Sequence, residues 1–400
     1  MIDNALYDNL VIGAGISGLG LAHRCLQHGL NTAVVESADR VGGCIHSRSF
    51  PQADGFWLEM GSHTCYNSYG HLLRIVDDLG MAEQLQLKGK VSFKLLEQDG
   101  LASVFSRLHP LELALSLPRL FSEKKAGQSV ARYYSRVLGK RNYEELFEPA
   151  FNAVICQPAG EVPADKLFRR KPRRKDRPRS FTLPGGLSVI VEAIATQPGL
   201  QLLTGSPATR ISRSNGQFEV ELGDGRLLHA HHLSLAVAPD ISSQLLTDTA
   251  PELAEMLAGI AMVDIESMAV VVRREDLDME PLAGIIAPDN AFYSAVSRDY
   301  LEHPGYRGLT FHFRPAVLDE EGQKRCIAEV LGIAPGQMVA TARHFNRLPA
   351  LRVGHDQLVE RIDTALSGTG MALTGNYFIG VSMEDCLTRS ADEALRLFGA

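Results

Sequence analysis

The sequence lacks the features that mark several protein classes. Its six cysteines are scattered, with no C-x-x-C pair, which argues against a metal knuckle or a disulfide framework and fits a reducing cytoplasm. No uncharged apolar run reaches the roughly 18 residues that a membrane span needs. The first residues show neither a basic segment nor the cleavage site of a secretory signal. We therefore expect a cytoplasmic protein.

The chain also carries fewer basic than acidic residues. The formal net charge is −7, so no global basic field would attract nucleic acid, and we expect no nucleic-acid partner. The 400 residues are 45% apolar and 22% charged, which is the balance of a globular protein. A chain of this length suits two domains, or one large domain with an insertion.

The N-terminal residues follow a strand–turn–helix–strand pattern. Residues 8–12 read as a buried strand, Gly13 to Gly18 as a glycine turn, and Ser17 to His28 as a helix that Gly29 ends. A second strand follows over Thr32 to Glu36. This order is the first half of a nucleotide-binding βαβ unit.

The glycine turn matches G-x-G-x-x-G in the context that this motif requires. Gly13 permits the tight turn, Gly15 lets the backbone approach a diphosphate, and Gly18 lets the helix pack on the sheet. The helix N-terminus offers N–H groups and the positive end of a dipole to phosphates. Glu36 stands where an acidic residue binds an adenosine ribose. The expected contacts are Gly13, Gly15, Ile16, Ser17, Gly18, Glu36 and Ser37.

Residues 36–43 continue as E-x-x-x-R-x-G-G, which resembles the FAD-binding amine oxidase superfamily. The C-terminal stretch 375–386, GNYFIGVSMEDC, is similar to the protoporphyrinogen oxidase branch of that superfamily. Four shorter segments agree in order: VGGCIHS (41–47), LEMG (58–61), LPGG (183–186) and PALRVGH (349–355). The resemblance thus spans nearly the whole chain.

This resemblance implies FAD, bound non-covalently because no covalent attachment signature is present. The start of the C-terminal helix would face the flavin pyrimidine edge, where its dipole stabilises the reduced cofactor. Arg40 would meet the diphosphate, and the Ala208 backbone would approach the adenine. The further implied contacts are Arg40, Gly42, Gly43, Met60, Gly61, Ser62, Ala208, Gly375, Asn376, Val381, Ser382 and Met383.

The implied fold is α/β. A discontinuous Rossmann-type FAD-binding domain would comprise residues 1–72, 183–250 and 355–400. The inserted α+β substrate domain would combine a mostly helical insertion, 73–182, with a mixed sheet over 251–354. Two departures leave the substrate open: the chain is shorter than typical members, and Arg389 replaces a small residue after the D-C pair.

The sequence reveals no acid–base constellation, so the catalytic residues stay unknown. The only lysine after Lys175 is Lys324, on the polar side of a predicted helix, which disfavours lysine-assisted amine oxidation. His63, just after the E-x-G turn, is a candidate to approach the flavin, although a lone histidine is more often structural. No metal ligand set is evident.

Residues 168–179, FRRKPRRKDRPR, form a basic segment with eight Lys or Arg residues. A solvated loop is one interpretation. The alternative is that residues 169–179 bind a carboxylated substrate, an acidic partner or, peripherally, an anionic membrane.

These observations predict an FAD-dependent oxidoreductase that dehydrogenates a small cyclic or conjugated molecule and passes the electrons to O2 or another acceptor. A porphyrinogen-type substrate is the best single candidate. Alternatives are an isomerase of the UDP-galactopyranose mutase type, an amine oxidase or desaturase, and a non-catalytic flavin-binding protein. The oligomeric state stays open.

Overall fold

The computed structural model describes residues 5–399, in which strands and helices alternate along the chain. The strands are β1 (Leu6–Ile12), β2 (Thr32–Val35), β3 (Ser47–Phe50), β4 (Phe56–Glu59), β5 (Cys65–Tyr66), β6 (Gln86–Leu87), β7 (Phe93–Glu97), β8 (Gly100–Ser103), β9 (Ser180–Thr182), β10 (Gln201–Leu203), β11 (Ala208–Ser214), β12 (Gln217–Leu222), β13 (Leu227–Leu235), β14 (Met262–Arg273), β15 (Gly284–Ile286), β16 (Phe292–Ser297), β17 (Tyr306–Phe313), β18 (Met338–Pro349) and β19 (Met371–Leu373).

The helices are α1 (Ile16–Gln27), α2 (Gly70–Asp78), α3 (Pro110–Ser116), α4 (Val130–Leu138), α5 (Lys140–Asn142), α6 (Glu148–Ile155), α7 (Ser188–Ala195), α8 (Pro239–Leu246), α9 (Pro251–Ala258), α10 (Glu320–Leu331), α11 (His355–Leu366) and α12 (Met383–Phe398). A π-helical segment, Tyr143–Phe147, joins α5 to α6. No helix within residues 5–399 is long and apolar enough to cross a bilayer.

The first sheet has the order β10-β2-β1-β13-β12-β11, and β19 pairs with the second half of β13. Strands β10, β2, β1, β13 and β19 run parallel, and β11 to β13 form an antiparallel meander. Helices α1, α2, α7 and α12 cover one face, and α8, α9 and α11 pack with the meander on the other. This is the expected Rossmann-type α/β arrangement.

The second sheet has the order β18-β14-β17-β16-β15-β7-β8 and is antiparallel except for the β7–β15 pair. Helix α10 packs on one of its faces. The β3–β4 hairpin packs on part of the other face, with Phe56, Leu58 and Met60 against Ala269 and Val271. We call the part of the chain built around the first sheet, including this hairpin, the first domain. The second sheet therefore contacts the first domain through this hairpin.

The expectation that residues 73–182 are mostly helical needs correction. Helices α3 to α6 occupy the segment from 110 to 155 and bury a small core of their own. Strands β7 and β8, however, form a hairpin that extends the second sheet, and Gly100 has φ +118° at its turn. The domain boundaries themselves stay a prediction.

Candidate active site

Four parallel strands end side by side at one edge of the first sheet. Their last residues, which the register aligns, are Ile12, Val35, Leu235 and Leu373. The glycine turn and Glu36 follow these ends directly, and Gly375 lies two residues after Leu373. Since ligands of open parallel sheets bind beyond the carboxyl ends of the strands, these segments lie where a nucleotide would bind.

The three motif glycines have different surroundings. A Cβ atom on Gly13, which has φ +103°, would lie 2.8 Å from the carbonyl oxygen of Ala236, and one on Gly18 would overlap the carbonyl oxygen of Gly13. A Cβ atom on Gly15 would have only Gly43 Cα nearby, at 4.0 Å. Gly13 and Gly18 therefore serve packing, whereas Gly15 borders open space. That open cradle fits a diphosphate at the start of α1.

Glu36 is held at the end of β2 by backbone N–H groups. Its Oε2 accepts from Ala14 N at 2.8 Å, and its Oε1 accepts from Ala38 N at 2.9 Å. The backbone N–H of Ser206 donates to the Glu36 carbonyl at 2.8 Å, and Ala208 follows two residues later. The structure thus brings the segment expected at the adenosine close to this carboxylate.

Arg40 braces the loop that faces the glycine turn. Its guanidinium donates to the carbonyl oxygens of Val41, Ile45 and Gly43 at 3.1, 3.3 and 2.8 Å. The loop is joined to the turn by the hydrogen bond from Gly42 N to the Ala14 carbonyl, at 2.8 Å. These contacts show a positioning role for Arg40, and its contact with a diphosphate stays a prediction.

The N-terminal ends of α1 and α12 lie next to each other. Ser390 Oγ donates to the Ser17 carbonyl at 2.8 Å, and Leu387 packs so close to Gly20 that a Cβ atom there would overlap it. The N–H groups of Met383 and Glu384 find no acceptor among residues 5–399. Two helix starts therefore offer free donors to one region, which fits an anionic cofactor.

The E-x-G turn is fixed from three directions. A Cβ atom on Gly61 would overlap the Cys44 carbonyl oxygen, to which Ser62 N donates at 3.0 Å. Asn346 Nδ2, on β18, donates to the Met60 carbonyl at 3.1 Å. Glu59 is buried, and this burial raises its pKa to about 7. These bonds hold the turn against β18 of the second sheet, and His63 follows the turn two residues after Gly61.

His63 and His312 are two polar side chains of this region that stay uncharged. Burial lowers the pKa of His63 to about 3, and burial lowers that of His312, on β17, to about 4. His312 Nδ1 is 3.0 Å from the hydroxyl of Ser267, and Ser294 pairs with His312 across the sheet. Both imidazoles are therefore uncharged at neutral pH and suited to hydrogen bonding rather than to ion pairing.

Lys88 is a half-buried cation that was not among the predicted site residues. Its Nζ donates to the His63 carbonyl and to Thr64 Oγ1, both at 3.0 Å, and lies 3.6 Å from the centre of the Tyr300 ring. Burial lowers its pKa to about 8. Lys88 is not part of a recognisable sequence motif. Only its contacts with residues distant in the sequence show that it belongs to this site.

The basic segment 168–179 is largely exposed, as expected, but three of its cations are held by carboxylates. Arg174 and Arg177 donate to Asp77, at the end of α2, at 2.5 and 2.8 Å. Lys171 Nζ is 2.8 Å from Asp385. The segment is thus attached to the first domain. Its members with no ion pair among the described residues are Arg169, Arg170, Arg173, Lys175 and Arg179.

Comparisons with known proteins agree with this geometry. The sequence model of the family described as "Flavin containing amine oxidoreductase" matches residues 16–293. Mitochondrial protoporphyrinogen oxidase from Nicotiana tabacum is 30% identical over 165 residues, which cover 36% of this chain and 32% of that protein. Protoporphyrinogen oxidase from Bos taurus is 23% identical, and the alignment covers 98% of each chain.

Among solved structures, a putative protoporphyrinogen oxidase from Exiguobacterium sp. 255-15 has a TM-score of 0.77 at 18% sequence identity. The comparison covers 96% of this chain and 97% of that one. The likeness shows that the two chains share a fold. Because the family match spans more than half of the sequence, the chain belongs to the flavin containing amine oxidoreductase family, where it is most like the protoporphyrinogen oxidase branch, and it is an FAD-dependent oxidoreductase.

Proposed function

We propose that the protein dehydrogenates a flat, carboxylated molecule of the porphyrinogen type and passes the electrons to O2 or another acceptor. The observation that carries the proposal is the pair of neutral imidazoles, His63 and His312, together with an arginine that has no ion pair among the described residues. Two relatives with protoporphyrinogen oxidase activity in their names support the substrate class.

Arg314 supplies the arginine. It follows directly after the end of β17, two residues beyond His312, and it stacks on Tyr293 with 4.5 Å between the guanidinium carbon and the ring centre. Its buried Nε has no hydrogen-bond partner within the described chain. A half-buried guanidinium without an ion pair among the described residues is suited to hold a substrate carboxylate.

The two neutral imidazoles suit a substrate that needs no enzyme base. FAD, when bound, supplies the hydride acceptor. A porphyrinogen loses a hydride from a methylene bridge while a pyrrole nitrogen donates its electron pair, and the N–H proton then leaves to water. Neutral imidazoles can accept hydrogen bonds from pyrrole N–H groups and so orient the ring.

We place the cofactor along the edge of the first sheet. The adenosine would lie between Glu36 and Ala208, and the diphosphate between the glycine turn and the Gly42–Gly43 loop. The flavin would lie between the start of α12 and the E-x-G turn. This order follows the strand ends, the open space beside Gly15 and the free N–H groups of α12.

Anaerobic bleaching of the flavin tests the substrate class. Protoporphyrinogen, coproporphyrinogen and a panel of amines are mixed with the holoenzyme, and the loss of flavin absorbance is followed. We expect the porphyrinogens to bleach it. Arg314→Gln should raise the porphyrinogen concentration at half-maximal rate about tenfold or more, since a charge-assisted hydrogen bond contributes about 1.5–3 kcal/mol.

Arg273→Gln is the matched control, because Arg273 is exposed on β14 and has no ion pair among the described residues. It should behave as wild type. Bleaching by amines but not by porphyrinogens would refute the substrate class. An equal effect of the two arginine variants would refute the role of Arg314.

We further propose that a surface of the helical insertion contacts an anionic membrane. This apolar patch consists of Leu111, Leu115 and Phe121, which are 84%, 81% and 94% exposed. A cavity of about 470 Å³ lies between Leu117 and Leu120 of the same segment and Arg169 and Arg170 of the basic segment. Apolar side chains bordered by unpaired cations complement the surface of an anionic bilayer.

Vesicle flotation tests this contact. The holoenzyme should float with phosphatidylglycerol vesicles and less with phosphatidylcholine vesicles, and salt should weaken the interaction. Leu115→Ser/Phe121→Ser should reduce flotation at least tenfold. Leu227→Ser, which changes a leucine that is 48% exposed on β13, is the control. Unchanged flotation of the double variant, or none of the wild type, would overturn the proposal.

A further inference from the structure

The start of α12 carries two acidic residues where a helix would otherwise present positive potential. Glu384 is occupied elsewhere, because its carboxylate accepts from the N–H groups of His71 and Leu72 at 2.9 and 3.2 Å and so caps α2. Asp385 remains. It is 8% exposed, and its charge lies within one helical turn of the free N–H groups of Met383 and Glu384.

Lys171 reaches Asp385 from the basic segment. Its Nζ lies 2.8 Å from Asp385 Oδ1 and donates to Ser382 Oγ at 3.0 Å. Ser382, the N-cap of α12, in turn donates to Asp385 Oδ2 at 2.5 Å and accepts from Asp385 N at 3.2 Å. The lysine side chain is only 20% exposed and lies beside Tyr69, with 5.4 Å from Nζ to the ring centre.

We propose that Lys171 is a positioning residue for the flavin site: it fixes and neutralises the Asp385 carboxylate, so that the start of α12 keeps its positive potential toward the reduced cofactor. A reduced flavin carries additional negative charge, which an uncompensated carboxylate at this helix start would repel. Loss of Lys171 should therefore favour oxidised over reduced flavin. The inference rests on the bound FAD and is independent of the substrate.

The same contact explains why one member of the basic segment differs from its neighbours. Arg173 lies two residues away and has no ion pair among the described residues. Lys171 instead points into the first domain, across 214 residues of sequence to Asp385. The charge pair thus ties the end of the helical insertion to the cofactor-facing helix.

The test is the two-electron reduction potential of the bound flavin, measured against a redox dye in holoenzyme variants. Lys171→Met should lower the equilibrium constant for reduction about tenfold, equivalent to about 30 mV for two electrons. Asp385→Asn should raise it, and the double variant should return to within about threefold of wild type. Lys171→Arg should match wild type, and Arg173→Met controls for the loss of a nearby loop cation.

FAD content after heat release and the thermal midpoint are measured for each variant, because a purely structural contact would change these and leave the potential unmoved. The proposal is overturned if Lys171→Met and Arg173→Met shift the potential equally, or if the double variant matches Lys171→Met. If Lys171→Met retains no FAD, the test rests on Asp385→Asn. In that variant, an equilibrium constant for flavin reduction at or below the wild-type value contradicts the proposal.

Discussion

Replacing Gly15 by valine should separate cofactor binding from folding. Gly15 has φ −72° and ψ 176°, which any residue adopts without strain. A Cβ atom there would touch nothing nearer than Gly43 Cα at 4.0 Å. We therefore expect the flavin-free variant to unfold within about 1 kcal/mol of wild type.

FAD binding should respond very differently. The new side chain would occupy the space into which the diphosphate fits, at the start of α1. Displacing the phosphates from the helix N-terminus removes at least two charge-assisted hydrogen bonds, each contributing about 1.5–3 kcal/mol. Since about 1.4 kcal/mol is a tenfold change in affinity, Gly15→Val should weaken FAD binding at least about 100-fold.

Gly18→Ala supplies the opposite control. Its Cβ atom would overlap the Gly13 carbonyl oxygen, so the helix must move away from the sheet and the flavin-free protein should lose about 1–3 kcal/mol. Urea unfolding of flavin-free protein and fluorescence titration with FAD measure the two effects. The reasoning fails if Gly15→Val unfolds as readily as Gly18→Ala, or if it binds FAD like wild type.

Two further predictions concern buried charge. Burial raises the Glu59 pKa from 4.5 to about 7, so the folded protein retains a proton that the unfolded chain releases, and stability should fall as pH rises from about 4.5 to 7. In Glu59→Gln this loss of unfolding free energy, at most about 3 kcal/mol in total, should be smaller. Urea unfolding between pH 5 and 8 measures it, and an unchanged pH dependence would contradict the prediction. Arg389→Ala should destabilise the fold by about 1–3 kcal/mol, because Glu393, only 2% exposed, is left with Arg396 as its ion-pair partner among the described residues and the Leu373 carbonyl loses a donor. Chemical unfolding should show that the double variant Arg389→Ala/Glu393→Gln regains part of the stability lost in Arg389→Ala. Equal losses of stability in the single and the double variant would exclude the charge explanation.

The first βαβ unit could be predicted from sequence because its determinants are local. The glycine spacing, the apolar strand residues and the helix stop at Gly29 all lie within some 30 residues, and the structure has β1, α1 and β2 within one residue or two of the predicted bounds. The start of α12 was predictable from the same kind of local signal, a serine N-cap before an acidic turn.

Arg389 shows where local reasoning fails. The resemblance implied a small residue at this position, next to the cofactor domain. In the structure its guanidinium donates to the Leu373 carbonyl at 3.0 Å and forms ion pairs with Asp363 at 2.7 Å and with Glu393 at 2.9 Å. A buried arginine is accommodated because α11, α12 and β19 each supply an acceptor. The sequence does not show that these three elements meet.

The features that were not predicted from the sequence fall into two kinds with different causes. The β7–β8 hairpin was recoverable, since Asp99-Gly100 is a typical signal of a tight hairpin turn. Lys88 and Lys171 were not recoverable, because each acquires its meaning from a partner far along the chain: the His63 carbonyl for Lys88 and Asp385 for Lys171. Site residues of this type become visible only when the tertiary contacts are known.

The distribution of charge also bears on the choice among substrates. On the cofactor side, helix starts and Lys171 provide positive potential. Beyond the E-x-G turn, His63 and His312 are held neutral by burial, and Lys88 is a cation. The nearby Glu59 has a pKa raised to about 7 and already accepts bonds from Leu187 N and Ser47 Oγ. A protonated amine would thus meet no free carboxylate among these groups. An uncharged reacting centre whose carboxylates extend to Arg314 matches the arrangement better, which favours the porphyrinogen type over an amine.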